Sequence, residues 1–172
     1  MALQNTQLLV SVMGMLTGTP PIAGATPQLP FSQLYPVGLG TGTGSGQADK
    51  MWAAGARTLA ASTGEDIDLA GTLVDVFGGT LNLARVKGLV IAANAANTNA
   101  VVVGNAAANG FISWVGAATH TVSVRPGGVL ALFAPDATAY PVTSGTADLL
   151  HIANGGAGSS VQYDIVVIGS SA

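Results

Sequence analysis

Apolar and polar residues alternate most regularly in Thr121-Val-Ser-Val-Arg125, where Val122 and Val124 share one side and Thr121, Ser123 and Arg125 the other. A period of two marks a strand with one face on a core and one toward water or a neighbour. Short runs of this kind, β-branched or alternating and broken by Gly, Asn and Pro, recur from residue 51 onward. They predict strands over 57–62, 65–70, 81–92, 100–104, 111–115, 120–125, 128–134, 147–153 and 161–169. Arg125-Pro-Gly-Gly128 reads as a tight turn that joins two of these strands into a hairpin. The expected architecture is all-β, an antiparallel β-sandwich of jelly-roll type over residues 51–172.

Three local patterns refine this. In Thr80–Ile91 the apolar phase flips from Leu81 and Leu83 to Val86 and Val90, so either a bulge lies near Ala84–Arg85 or a strand starts only there. Leu73, Val76 and Phe77 have the spacing of a helical turn closed by Gly78-Gly79. Val161–Ile168 begins half-polar and ends apolar on both faces, as a strand does on passing from rim to centre.

Residues 1–50 have a different texture. They contain five of the eight prolines and scattered apolar residues with no sustained period, which predicts an extended N-terminal arm. Its candidate anchors are Leu8, Leu9, Phe31, Leu34 and Tyr35, and Trp52 is a candidate docking residue between arm and domain. Such an arm needs a surface that receives it. Glycines at every second position from Gly38 to Gly46 fail the dinucleotide fingerprint in each register, at Thr43, Ser45 or Gln47, and no Gly-Lys-Ser/Thr occurs. The run therefore reads as a flexible connector.

Composition sharpens the need for partners. Of 172 residues only 8% are charged while 49% are hydrophobic, against roughly 25% charged in ordinary soluble domains. So bare a surface points to assembly, a homo-oligomer with a trimer as the favoured closed form. The net charge of −3 and the scattered Lys50, Arg57, Arg85, Lys87 and Arg125 give nucleic acid no track. The apolar run Leu8–Leu16 has no basic residue before it and is too short to span a bilayer, so a mature, soluble chain without a membrane partner is expected.

Candidate chemistry is sparse. Without cysteine there is neither a disulfide nor a thiolate site. Asp66 and Asp68 resemble the start of a calcium loop, but the twelfth position is Phe77 instead of Glu, so they read as outward residues of a strand whose Ile67 and Leu69 point inward. His120 and His151 lack the i, i+4 partner of a metal pair, and His120 reads as a rim or core histidine. There is no G-x-S-x-G elbow. No catalytic, metal or cofactor residue is assigned, and no enzyme activity is expected. Trp114 reads as a buried anchor in preference to a sugar platform.

Residues from about 51 to 172 resemble the small β-sandwich virion proteins of tailed-bacteriophage structural modules. The resemblance rests on Gly46-Gln-Ala-Asp-Lys-Met-Trp52, Arg57-Thr-Leu-Ala-Ala61, Asp66-Ile-Asp-Leu-Ala70, Asn97-Thr-Asn99, Arg125-Pro-Gly-Gly-Val-Leu130, Ala134-Pro-Asp136 and Tyr163-Asp-Ile-Val-Val-Ile168. It implies a jelly-roll-like domain on the outer surface of the virion, a capsid decoration (cement) protein whose partner is the major capsid protein. The alternative it implies is a receptor- or glycan-binding module of a head or tail fibre. The first fifty residues lie outside the resemblance.

Overall fold

The computed structural model describes residues 3–18, 22 and 24–172, and every regular element among them is a strand. The chain opens with β1 (Thr6–Thr17), β2 (Gln28–Thr41) and the short β3 (Gln47–Ala48). β4 (Lys50–Leu59), β5 (Gly64–Asp68), β6 (Ala70–Val74) and β7 (Thr80–Asn82) follow. Then come β8 (Arg85–Ala93), β9 (Val101–Gly104), β10 (Thr121–Val124) and β11 (Val129–Phe133). β12 (Tyr140–Pro141), β13 (Leu149–Asn154) and β14 (Val161–Ser170) complete the order.

Two larger antiparallel sheets make the body: β10-β9-β13-β5, and β11-β8-β14-β4 with β12 also on β8. β8 and β14 are the inner strands of the second sheet, and both of its faces are covered there: Leu89, Ile91, Ile165 and Val167 face the main core, while Gly88 and Ile168 lie against Leu8 on the other side. β13 keeps strict alternation, with Leu150, Ile152 and Asn154 turned inward. Ile67, Val103 and Ile152 of the first sheet join Leu89, Ile91, Ile165 and Val167 of the second in one apolar cluster. A polar clamp also ties the sheets: Tyr163 on β14 donates to Glu65 on β5 at 2.7 Å, and Arg57 on β4 pairs with the same carboxylate.

Five expectations are changed or resolved. The first is the arm, which is a ladder: β1 and β2 pair antiparallel without a register shift from Thr6↔Leu39 to Thr17↔Gln28. The Arg125–Gly128 turn forms, with Gly128 N–H donating to the Arg125 carbonyl at 2.7 Å, but it is a corner between sheets and not a hairpin. β10 pairs β9 while β11 pairs β8, because the turn also bonds the backbone of Ala93 at the end of β8. Residues 111–115 form no strand: Phe111 plugs the core, and in the turn that follows Trp114 Nε1 donates to the Phe111 carbonyl at 2.9 Å. At 73–77 no helix forms, since the Asp75 carboxylate takes the Phe77 and Gly79 N–H groups and closes a turn between β6 and β7. The phase flip in 80–91 marks a new strand, β8, starting at Arg85.

Candidate functional surface

Direct partners in an antiparallel ladder share a face. The β1–β2 register therefore gathers Leu8, Val10, Val12 and Leu16 with Leu29, Phe31, Tyr35 and Val37 on one side. The other side holds Leu9, Met13, Met15, Leu34 and two prolines, mixed with Ser11 and Ser32. No Asp, Glu, Lys, Arg or His precedes Asp49, so the ribbon is apolar on both faces and uncharged throughout. Twelve residues at about 3.4 Å each make it about 40 Å long.

Its root is buried and its distal part is not. Leu8, Leu39 and Ala48 pack with Ile168 of β14, flanked by Val37, Phe133 and Val166. The fit is close, since a Cβ on Gly88 would stand 2.9 Å from Leu8 Cδ1. Beyond the root the same face is open to solvent: Val10, Val12, Phe31 and Tyr35 are exposed, and Leu16 retains 70% of its accessible surface. An interior surface thus continues outward with nothing from the described residues upon it.

The two edges of the ribbon are not equivalent. Gly18 N–H donates to the Pro27 carbonyl at 3.3 Å, one step beyond the ladder. Bonded pairs alternate in an antiparallel ladder, so the even residues of β1 bond β2, and the odd residues from Gln7 to Thr17 direct N–H and C=O outward. The even residues of β2 face outward by the same count, in agreement with Gly40 donating to Gly46 on that side at 2.8 Å. Pro30 and Pro36 are among them, so the outer edge of β2 lacks donors there without loss of a ladder bond. The outer edge of β1 carries neither proline nor charge.

The glycine run is bonded to the body. Gly38 and Gly40 lie in β2, and residues 42–46 turn back with Gly46 N–H on the Pro135 carbonyl at 2.7 Å. Gly42 has φ of 135° and Gly46 of 65°, conformations that side chains rarely adopt. Beneath the turn, Lys87 is buried and donates to the carbonyls of Gly44 and Asp136. Burial lowers its pKa from the usual lysine value.

Of the residues anticipated from sequence, Leu8 is the buried root anchor, while Leu9, Phe31, Leu34 and Tyr35 are exposed on the ribbon. Trp52 is placed elsewhere: it packs on the main core with the Arg57 guanidinium 5.8 Å over its ring. Leu39, Ala48 and Ile168 were missed as root residues, and Val10, Val12, Met13, Met15 and Leu16 as ribbon residues. The legible signal was two uncharged apolar runs flanking a proline-rich connection.

Polar clusters outside the hairpin are occupied by internal bonds. Burial pushes Glu65 upward, but hydrogen bonds from Arg57 and Tyr163 outweigh it and hold the carboxyl below the usual range. Burial first, and Glu65 second, raise the Tyr163 phenol. His151 Nδ1 lies 2.7 Å from Asp66 at the surface. Asn97 and Gln162 exchange two bonds at 2.8 Å, which pins a loop to β14. Among the described residues no group of three His, Asp or Glu side chains is placed to hold a metal. A cleft at the hairpin root is lined by Leu3, Lys50, Met51, Asp75, Val76 and Phe77, with the Asp75 carboxylate engaged by its own backbone. Comparison with known protein families, curated proteins and solved structures returns no match.

Proposed function

We propose that this chain is a structural virion protein of a tailed bacteriophage, a capsid decoration protein that self-associates and binds the major capsid protein on the outer surface of the head. In this reading its two larger sheets stack as a jelly-roll-like sandwich, and the hairpin is the assembly element. One observation carries the proposal: a ribbon about 40 Å long, uncharged and apolar on both faces, projects from a body whose Arg57–Glu65–Tyr163 and Asn97–Gln162 clusters are bonded internally. Exposed apolar area of that extent marks an interaction surface.

The fibre-tip glycan reading lacks comparable support. Trp52 has its ring under Arg57, and Trp114 folds onto the Phe111 carbonyl. Antibody against the purified chain, applied to particles of the phage that encodes it, tests the assignment by immunogold microscopy. Gold over the head at many copies per particle is expected. Gold on fibres alone favours the alternative, and particles without the chain overturn the proposal.

A further inference from the structure

We infer that the free edge of β1 pairs antiparallel with β1 of a second copy of this chain, making a twofold four-stranded ribbon. The inference rests on the assembly role of the hairpin proposed above and names its partner. An edge strand without proline, charge or bulge is a template for strand addition, and β1 has that character over all 12 residues. β2 does not, because Pro30 and Pro36 remove donors from its outer side and its far end is taken by β3.

The register follows from which groups point outward. Gln7, Leu9, Ser11, Met13, Met15 and Thr17 direct outward N–H and C=O groups that have no backbone partner among the described residues. Full overlap sets Gln7 against Thr17 of the second copy, Leu9 against Met15 and Ser11 against Met13, with Val12 on the twofold. Each bonded pair exchanges two hydrogen bonds, giving about twelve, where stable interfaces carry about ten. The antiparallel sense puts the two bodies at opposite ends, clear of one another. It also keeps both apolar faces on the same side, so that Leu16 lies beside Leu8 of the second copy, where that copy's body backs its own hairpin. The exposed distal face thereby continues the interior surface seen at the root. The contact closes on a twofold, so the assembly contains an even number of copies and departs from the trimer expected from composition.

The chain contains no native cysteine, which makes cross-linking clean. Residues on the twofold form a non-bonded pair with Cα atoms about 4.5 Å apart, within disulfide reach. Val12→Cys in the full chain is expected to oxidise to a covalent dimer at least tenfold faster than Gln33→Cys on β2. Met13→Pro removes an outward donor and leaves the β1–β2 ladder bonds in place, so sedimentation is expected to shift from dimer to monomer with the circular dichroism spectrum retained. A monomeric wild type, a closed trimer, equal oxidation at positions 12 and 33, or an unshifted, folded Met13→Pro variant each overturns the edge contact. A wild type that is monomeric alone but binds phage heads through the hairpin makes the capsid the occupant and leaves the functional proposal standing. A dimer absent from virions does the reverse.

Discussion

Lys87 reaches across 43 residues of chain to hold Gly44: its ammonium donates to the Gly44 carbonyl at 2.6 Å and to the Asp136 carbonyl at 2.9 Å. The contact anchors the turn beneath the hairpin to a loop of the body. Lys87→Met keeps the apolar stem but leaves two carbonyls without their donor. Hydrogen bonds to charged groups are worth roughly 1.5–3 kcal/mol, so a loss of about 2 kcal/mol is expected in urea unfolding. The Gly46 amide, bonded to Pro135, should exchange faster with deuterium. Unchanged exchange would show that the turn holds without the lysine.

Leu8 tests the root. It is buried against Ile168, and Leu8→Ala opens a cavity there at a cost of about 2–5 kcal/mol. Excision of residues 11–34 with a short turn inserted removes the distal ribbon and keeps Leu8, Val37 and Leu39. That variant should melt near the wild-type temperature yet no longer associate. A large drop in melting temperature would assign the distal ribbon to the fold.

Glu65 sets an acid limit. Its carboxyl is held below the ordinary value of 4.5 in the folded chain. A group lowered on folding contributes stability above its unfolded pKa, and the contribution fades as pH falls through the folded one. Calorimetry should give a nearly level melting temperature from pH 7 to about 5 and a decline below about 4.5. Glu65→Gln should melt lower at neutral pH and decline less steeply in acid. Parallel curves would mean that other carboxylates carry the acid response.

Ala56 offers a stabilising change. It sits at φ 54° in the irregularity of β4 opposite Tyr163–Ile165, with its N–H on Asp164 at 2.7 Å. A left-handed alanine costs roughly 1–2 kcal/mol, and glycine returns part of that gain as chain entropy. Ala56→Gly is expected to add about 0.5 kcal/mol, or about 1–2 °C in a chain of this size. A lower melting temperature would refute the strain argument.

The body was largely legible in the sequence because its strands obey local rules. Period two marked β10, two-sided apolarity marked β14 as central, and Asp66 and Asp68 alternate with Ile67 and Leu69 as expected. What escaped depends on partners distant in sequence. The Arg125–Gly128 turn looks the same whether its flanking strands pair with each other or with different sheets. The hairpin escaped because a strand that is apolar on both faces has no period to read, and prolines at 30 and 36 argue against pairing until their outward placement is known. The buried role of Lys87 had no signal, since its partners are backbone carbonyls.

The place of β14 between β8 and β4 sets an order of events along the growing chain. Strand β4 and its neighbour in the sheet are separated by about a hundred residues, as in Thr58↔Gln162, so this sheet cannot close before residues 161–170 arrive. The β1–β2 ladder needs only the first 41 residues, and local pairing is faster than pairing across long loops. On a ribosome the sticky ribbon is therefore expected to form well before the body it belongs to. Neighbouring nascent chains on one messenger could then meet through β1 first and fold their bodies afterwards, as partners already chosen.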